Sequence, residues 1–372
     1  MWGGGACGNM PALISFLSSH SKSLYAILSC GMARRHRGNP AASLRVEALY
    51  CAPRLYSGLS TLLLSPAEIA AVSAQQKTTL EQLQRLYPRT PAPAVHLLSG
   101  TIPAAGVLHM RQLGLLLMIA KLGPSNILHR HALYILHHGL KNSWFCQIRE
   151  ISLRYSLPDP MVTLTSPPSS KSLWKKSVKT AVCQYWHREL AAKAASLPSL
   201  CHLRAPFLPL GRGPHPLWWT CGSSASANRA ATVQARMLSG RYRSDWQRRH
   251  WGPGETGACR LPSCSSQQGD LEHLLTAACP ALASALARTL QHCTSFLSSN
   301  PVLLSTVQAA LAREPGDFVS FVLDPSTDRA VLALVQQHDS SILAPLFRFS
   351  RAWIWAAHRD RMRLLGLHQY LV

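Results

Sequence analysis

The sequence predicts an all-α protein, and three observations carry that prediction. Apolar residues recur at helical spacing along most of the chain, proline and glycine punctuate these segments, and the period-two alternation typical of strands is almost missing. With 372 residues, of which 47% are hydrophobic, the chain is long enough to bury a sizeable core. We therefore expect a helical bundle, irregular linkers rich in proline and serine, a small cysteine-rich module, and further helices towards the C-terminus.

The first half of the chain has the pattern of successive helices. Residues 1–40 are rich in glycine and serine, and we expect them to be poorly ordered or truncated. The segment Ser65–Glu68 has a serine, a proline and a glutamate in the positions of a helix start with a capping box. Pro88 ends the helix that follows, and residues 89–93 form a proline-rich turn. The other helices predicted in this half run over 103–123, 126–138 and 143–157.

The second half is predicted to alternate linkers with helices. Residues 158–171 and 202–226 contain many prolines and are expected to be irregular. In the C-terminal helix, Leu346, Phe349 and Trp353 are predicted to face inward and the arginines mostly outward. The helices predicted here run over 172–196, 228–248 (strongly basic) and 341–365. The organisation inferred from these patterns is 1–40, 41–157, 158–227, 228–256, 257–281 and 282–372.

Charge is the most unusual property of the composition. Lysine and arginine number 38 against 16 acidic residues, a formal net charge of +22. A surface this positive favours a polyanionic partner, and we expect RNA or DNA contacted mostly through phosphates, rather than a small-molecule substrate. A basic protein without such a partner, or a poorly maintained reading frame, is the alternative interpretation.

Membrane insertion and secretion are not predicted. The strongest apolar run, Leu113–Ile119, is much shorter than a spanning helix and is bracketed by Arg111 and Lys121. The N-terminal apolar patch has no basic residues before it, which is not typical of a signal peptide. We therefore expect an intracellular protein, nuclear or cytoplasmic, in which most of the eleven cysteines are reduced.

One group of residues has the composition of a zinc site. Cys259, Cys264, His273 and Cys279 supply three thiols and one imidazole, which are the donors that tetrahedral Zn²⁺ prefers. A proline-containing turn joins the first pair, and His273 lies on a predicted short helix that must end before Cys279. In so small a module, metal binding would supply the folding free energy. Ordinary reduced cysteines, with His273 on a helix surface, are the alternative.

Two basic segments are predicted to contact nucleic acid. In the first, arginines interleave with aromatic residues, a pattern that suits phosphate contact combined with base stacking on single strands. The second is the basic face of the predicted helix 172–196. A basic amphipathic helix with its aromatic residues packed inward is the alternative for the first segment. The predicted contact residues are Arg236, Arg241, Arg243, Trp246, Arg248, Arg249, Lys175, Lys176 and Lys179.

Catalysis is not predicted. Two-metal nucleotidyl transfer needs clustered carboxylates, and no two of the sixteen acidic residues are adjacent. The sequence also contains neither a P-loop nor a Gly-x-Ser-x-Gly motif. We therefore assign no catalytic residue.

Several segments, taken in order, resemble the reverse-transcriptase polyprotein of non-LTR (LINE-type) retrotransposons. They are Glu47–Leu59, Leu80–Leu86, Leu108–Gly114, Tyr155–Pro160 and the Glu-His-Leu-Leu run at Glu272–Leu275 that precedes Cys279-Pro280. The resemblance covers about residues 41 to 365 and implies a helical thumb-like domain, a linker region and a C-terminal Cys-Cys-His-Cys knuckle. Here five residues separate His273 from Cys279, where the family has four.

The resemblance implies a fragment that grips RNA or DNA without polymerising it. The paired aspartates of the family's RNA-directed DNA polymerase are missing from this sequence, and so is its endonuclease domain. Such a fragment would have an intact retrotransposon protein as a partner in trans. Two alternatives remain: an inert, pseudogene-like remnant, and a helical protein-interaction module without a nucleic-acid function.

Overall fold

The computed structural model describes residues 10–29, 38–204, 208–244, 257–266, 268–276 and 278–367. Helix accounts for 72% of the structure, and no strand occurs in these ranges. The prediction of an all-α protein is therefore confirmed.

The N-terminal half of the chain forms the helices α1 to α10. Their bounds are α1 Met10–Ser29, α2 Pro40–Val46, α3 Ala52–Tyr56, α4 Pro66–Leu83, α5 Ala92–Ser99, α6 Ala104–Ala120, α7 Ile127–His138, α8 Trp144–Arg154, α9 Pro160–Thr165 and α10 Lys171–Ala195. A π-helical turn, Glu47–Cys51, joins α2 to α3, and 3-10 turns lie at Leu59–Thr61 and Pro198–Leu200.

The C-terminal half forms the helices α11 to α18. Their bounds are α11 Pro216–Trp219, α12 Ala225–Leu238, α13 Leu271–Leu275, α14 Pro280–Leu297, α15 Pro301–Leu311, α16 Pro315–Leu323, α17 Arg329–His338 and α18 Leu343–Leu364. Two further 3-10 turns lie at Pro325–Thr327 and Ser340–Ile342.

Side-chain caps fix several predicted helix starts. At α4, the Ser65 hydroxyl accepts a hydrogen bond from the Glu68 N–H, and the Glu68 carboxylate accepts one from the Ser65 N–H at 2.7 Å. This capping box satisfies two of the helix's unpaired N–H groups. Asn126 caps α7 and Ser143 caps α8 in the same way, through their side-chain oxygens. The predicted starts of α4, α7 and α8 are thus confirmed by their hydrogen bonds.

Five segments differ from the prediction. Poor order was predicted for residues 1–40, but Met10–Ser29 is helical because Leu13 and Leu24 pack into the core. Helices α5, α9 and α11 form where turns or linkers were predicted, each with a proline in its first turn, where the missing N–H costs nothing. The basic helix predicted over 228–248 ends at Leu238.

Three of the five arginines of α18 are exposed, in line with the prediction that they mostly face outward, and the other two, Arg351 and Arg361, are buried. The guanidinium of Arg351 donates to the hydroxyl and the carbonyl of Thr220, at 2.7 and 3.0 Å. Arg361 is 1% exposed and lies 5.7 Å from the centre of the Tyr242 ring. The inward positions of Leu346, Phe349 and Trp353 are confirmed.

The connector before α11 is held against the end of α5. Gly211 donates its N–H to the carbonyl of Gly100, and His215 donates its N–H to that of Leu98. Gly100 has φ +67°, and a Cβ there would lie 1.8 Å from the carbonyl oxygen of Gly213. Only glycine fits this close approach, which joins the two halves of the chain.

The largest apolar cluster extends from Leu24 to Ala357 and includes residues of most helices. A smaller cluster, centred on Leu13, Leu55 and Leu108, fixes α1 against α3, α4 and α6. In the C-terminal half, α18 packs against α12, α14 and α16. The larger cluster therefore spans both halves of the described chain, and it includes the buried cysteines Cys259 and Cys279.

No single helix in the described ranges has both the length and the apolar composition of a membrane span. Helices α5 and α6 reach those values only as a pair, and their axes are bent by 60° at the break between them.

Candidate metal centre and basic surface

The first two candidate ligands lie on a closed loop before α13. Cys259 donates its N–H to the carbonyl of Ser266, and Gly269 donates its N–H to that of Gly257, which brings the two ends of the loop together. Between the cysteines the chain reverses at Ser263, whose φ is +62°, and Cys264 donates its N–H to the Leu261 carbonyl. Both sulfurs are thereby turned to the same side of the loop.

The imidazole ligand is positioned by the short helix α13. Asp270 caps this helix, and its carboxylate accepts a hydrogen bond from the His273 N–H at 2.8 Å. Leu274 and Leu275 are buried beside it, and the Trp353 indole N–H donates to the Leu275 carbonyl at 2.8 Å. These contacts fix α13 on the core and direct His273 towards the cysteine loop.

The fourth ligand is supplied by the start of the next helix. Helix α13 ends at Leu275, as the sequence required, and Cys279 is the N-cap residue of α14, followed by Pro280 at its first position. The ligand atoms of Cys259, Cys264, His273 and Cys279 all lie within 4.8 Å of one another. The Cys264 sulfur lies 3.2 Å from His273 Nε2. The four residues singled out in the sequence are thus brought together at a site that could hold a metal ion.

The surroundings of the cluster favour neutral thiols until a cation arrives. Cys279 is fully buried, and Cys259 and His273 are each 8% exposed. Burial raises the pKa of the Cys259 thiol to about 12, with a further contribution from the neighbouring Cys279 and Cys264. Burial and the nearby Cys264 also raise the pKa of the Cys279 thiol. A divalent cation would displace these protons, so metal affinity is expected to rise with pH.

The donor set suits a closed, structural site. In a tetrahedral zinc centre with bond lengths of about 2.0 to 2.3 Å, neighbouring ligand atoms lie roughly 3.5 to 3.8 Å apart. Ligand atoms within 4.8 Å of one another reach that spacing through small side-chain rotations. Four protein ligands would fill the coordination sphere and leave no position for a substrate.

The guanidinium of Arg236, a predicted nucleic-acid contact, instead contacts other parts of the protein. The residue lies near the end of α12, and its guanidinium donates to the carbonyl of Arg85 from two nitrogens, at 3.0 and 3.2 Å. The same group lies 4.4 Å from the centre of the Tyr87 ring. These contacts join α12 to the turn after α4. Burial lowers the pKa of the Arg236 guanidinium. The guanidinium is thus engaged within the protein, and the predicted contact of Arg236 with phosphate stays a prediction.

The neighbouring arginines lie close to the same turn. Arg241 donates to the carbonyl of Arg89, and the Arg243 guanidinium is 5.2 Å from the centre of the Tyr87 ring. Met237 and Leu238 are buried, as expected of an inward face. Trp246, Arg248 and Arg249 lie outside the described residues.

The lysines of α10 are exposed, and they border two depressions on opposite sides of the helix. Lys175 and Lys179 line a groove of about 540 Å³ against α6, which we call the α6–α10 groove. Lys176 lines a depression of about 690 Å³ against the end of α8, which we call the α8–α10 cleft. The three predicted lysines thus share a helix but face two different surfaces.

Four further cations on these surfaces were not singled out from the sequence. Lys171 and Arg111 line the α6–α10 groove, and Arg154 and Arg188 line the α8–α10 cleft. Lys171 precedes Lys175 by one helical turn, so spacing along α10 would have identified it. Arg111 and Arg154 come from other helices, and only the packing of α6 and α8 against α10 brings them there.

No protein-family model, curated protein or solved structure matches the chain.

Proposed function

We propose that this chain is a non-catalytic nucleic-acid-binding protein, derived from a non-LTR retrotransposon reverse transcriptase, that binds RNA or DNA through the basic surface of α10. In this proposal the Cys259, Cys264, His273 and Cys279 cluster binds one structural Zn²⁺. The resemblance of the sequence segments described above supports the origin, and the geometry of α10 supports the function.

One observation carries the proposal of nucleic-acid binding. Four cations line the α6–α10 groove and three line the α8–α10 cleft, and among the described residues neither surface is lined by an acidic side chain. Lysines at four-residue intervals on a helix repeat about every 6 Å along its axis, so they present a row of charges. A row of exposed cations along two grooves suits an extended polyanion better than a single small anion.

The choice of zinc rests on the chemistry of the donors. Three thiolates and an imidazole select Zn²⁺ over hard cations such as Mg²⁺ and Ca²⁺, which prefer oxygen ligands. A structural ion at this place would hold the cysteine loop and α13 to the start of α14, and so would stabilise the C-terminal half. The absence of paired carboxylates from the sequence supports a role without polymerase activity.

The experiment that tests this function is a salt titration of binding to labelled RNA and DNA, followed by fluorescence anisotropy. Each phosphate contact contributes close to one unit to the slope of log K against log salt. The variant Lys175→Gln/Lys176→Gln/Lys179→Gln should therefore lower that slope by about two to three units.

A matched control removes the same charge from other exposed positions. Lys22, Lys141 and Lys193 are exposed on other surfaces or at the far end of α10, and their triple change to glutamine should leave the slope nearly unchanged. Equal losses in both variants would mean that only net charge matters. Absence of binding at low salt would reject the function and would favour the inert remnant. Primer extension by the purified chain would reject the non-catalytic role.

A further inference from the structure

The two depressions beside α10 differ in the side chains that they present. In the α8–α10 cleft, Arg154 projects from the end of α8, and Lys176 and Arg188 project from α10 on the opposite side. All three side chains are exposed. Cations on both sides of an open cleft can hold a phosphate backbone along its length.

An aromatic wall lies at the back of the cleft. Tyr185 is partly exposed, and its ring meets that of Tyr155 edge-on, with the ring centres 5.1 Å apart. The Tyr155 hydroxyl accepts a hydrogen bond from Trp186 Nε1 at 3.0 Å and shares a second one with His109 Nδ1 at 2.7 Å. These partners hold Tyr155 in place, and its ring supports that of Tyr185.

Neutral hydrogen-bonding groups lie between the cations and the aromatic wall. Ser177, Thr180 and Gln184 are exposed on the face of α10 that lines the cleft. Hydroxyl and amide groups of this kind pair with the edges of unstacked bases, whereas lysine and arginine suit phosphates. The cleft therefore offers partners for both parts of a nucleotide.

The α6–α10 groove lacks this combination. Its floor contains Met110, Trp174 and Val178, and the last two are buried. Its cations can contact a phosphate backbone, but the buried Trp174 indole N–H already donates to the carbonyl of Leu113. A duplex shows mainly its phosphates to a protein surface, whereas a single strand also shows base faces.

We propose that the α8–α10 cleft binds an unpaired segment of nucleic acid, with a base against Tyr185 and its flanking phosphates on Arg154, Lys176 and Arg188. This inference rests on the proposed function and adds to it a preference for single strands at one defined site. The α6–α10 groove contributes phosphate contacts that do not distinguish a single strand from a duplex.

The test compares Tyr185→Leu with Tyr185→Phe, because the first removes the ring and the second keeps it. Binding is measured for a single-stranded oligonucleotide of about 16 nucleotides and for a duplex of the same length, in both DNA and RNA. Stacking on one aromatic side chain changes single-strand affinity by roughly tenfold. We expect Tyr185→Leu to lose that factor for single strands only, and Tyr185→Phe to retain the original affinity.

The outcomes separate this inference from the proposed function. If no oligonucleotide binds, the proposed function fails and the inference fails with it. If single strands and duplexes bind equally and Tyr185→Leu changes neither, the nucleic-acid function stands and the inference is overturned. A preference for RNA or for DNA that Tyr185→Leu removes would support the cleft and identify its natural ligand.

A second measurement does not depend on how well the variants fold. An oligonucleotide carrying 5-iodouracil is crosslinked to the unmodified protein by light, and the attachment site is located by mass spectrometry. Attachment to Tyr185, or to the α10 segment around it, supports the inference. Attachment confined to residues of the α6–α10 groove overturns it.

Discussion

The arginines in and after the last turn of α12 and the lysines of α10 carry the same charge, yet the fold uses them in opposite ways. Arg236 donates two hydrogen bonds to the Arg85 carbonyl and lies over Tyr87, so it joins α12 to the turn after α4. Lys175 and Lys179 stay exposed beside an open groove. The difference shows that burial, more than charge, decides whether a polar side chain stabilises the fold or remains available to a partner.

The largest expected effect on stability comes from the metal cluster. Cys259→Ser or Cys279→Ser should abolish zinc binding, which in small zinc modules contributes on the order of 10 kcal/mol. Purified protein should contain about one zinc per chain, and a chelator should lower its unfolding temperature. Cys201→Ser changes an exposed cysteine outside the cluster and serves as the control. Zinc retained in both cluster variants would contradict the assignment.

Arg236→Met should have the next largest effect. The change leaves the Arg85 carbonyl without its charged donor and removes the contact with Tyr87, for an expected loss of about 3 kcal/mol in the free energy of unfolding. Arg236→Lys should recover only part of the loss, because an ammonium lacks the planar fork. Urea denaturation measures both, with Lys179→Met as the control. Unchanged stability in Arg236→Met would show that Arg236 does not stabilise the fold and so does not differ from the α10 lysines in this respect.

Acidification tests the buried histidines, which, like Arg236, are polar side chains that serve the fold. Burial lowers the pKa of His96 to about 4 and that of His109 to about 4. An unfolded imidazole binds its proton near pH 6.5, so between these values the unfolded chain binds more protons and stability falls as the pH is lowered. From pH 7 to pH 5 the expected loss is about 2 kcal/mol for each histidine.

Urea denaturation of the wild type and of His109→Gln at both pH values measures this effect. The variant should lose the share of the pH dependence that belongs to His109, and because the zinc cluster is present in both proteins its own pH response cancels. An identical pH dependence in the two proteins would show that His109 does not titrate as its burial requires.

The smallest effect on stability is expected for Lys175→Gln/Lys176→Gln/Lys179→Gln. Exposed positions on a helix change the free energy of unfolding by less than about 0.5 kcal/mol, although the same triple change should weaken nucleic-acid binding. Thermal and urea unfolding measure the first quantity and anisotropy the second. A large loss of stability would mean that these lysines also support the fold.

Local sequence signals predicted those parts of the structure that depend on neighbouring residues. The capping box at Ser65, the helix starts at Asn126 and Ser143, and the end of α13 before Cys279 follow from hydrogen bonds within a single turn. The metal cluster was predictable for the same reason, since its four ligands occur within a short stretch of sequence.

What could not be predicted depends on distant contacts. Residues 202–226 seemed irregular, but Trp218 is fully buried and its indole N–H donates to the Gln84 side chain at 3.3 Å. Arg236 was predicted to contact phosphate, and its partner within the fold, the Arg85 carbonyl, lies far away in the sequence. Arg154 lines the α8–α10 cleft only because the fold places the end of α8 beside α10. No periodicity along the chain carries such information.

The two hydrogen bonds of Arg236 also affect which substitutions the sequence can accept during evolution. At positions 175, 176 and 179, lysine and arginine are interchangeable to a first approximation, because either offers a positive charge on a flexible stem to a diffuse partner. At position 236 the carbonyl and the ring demand a flat, branched donor, so an exchange for lysine is costly there. Over time, lysine and arginine should therefore replace each other on the basic face of α10, while Arg236 should stay arginine.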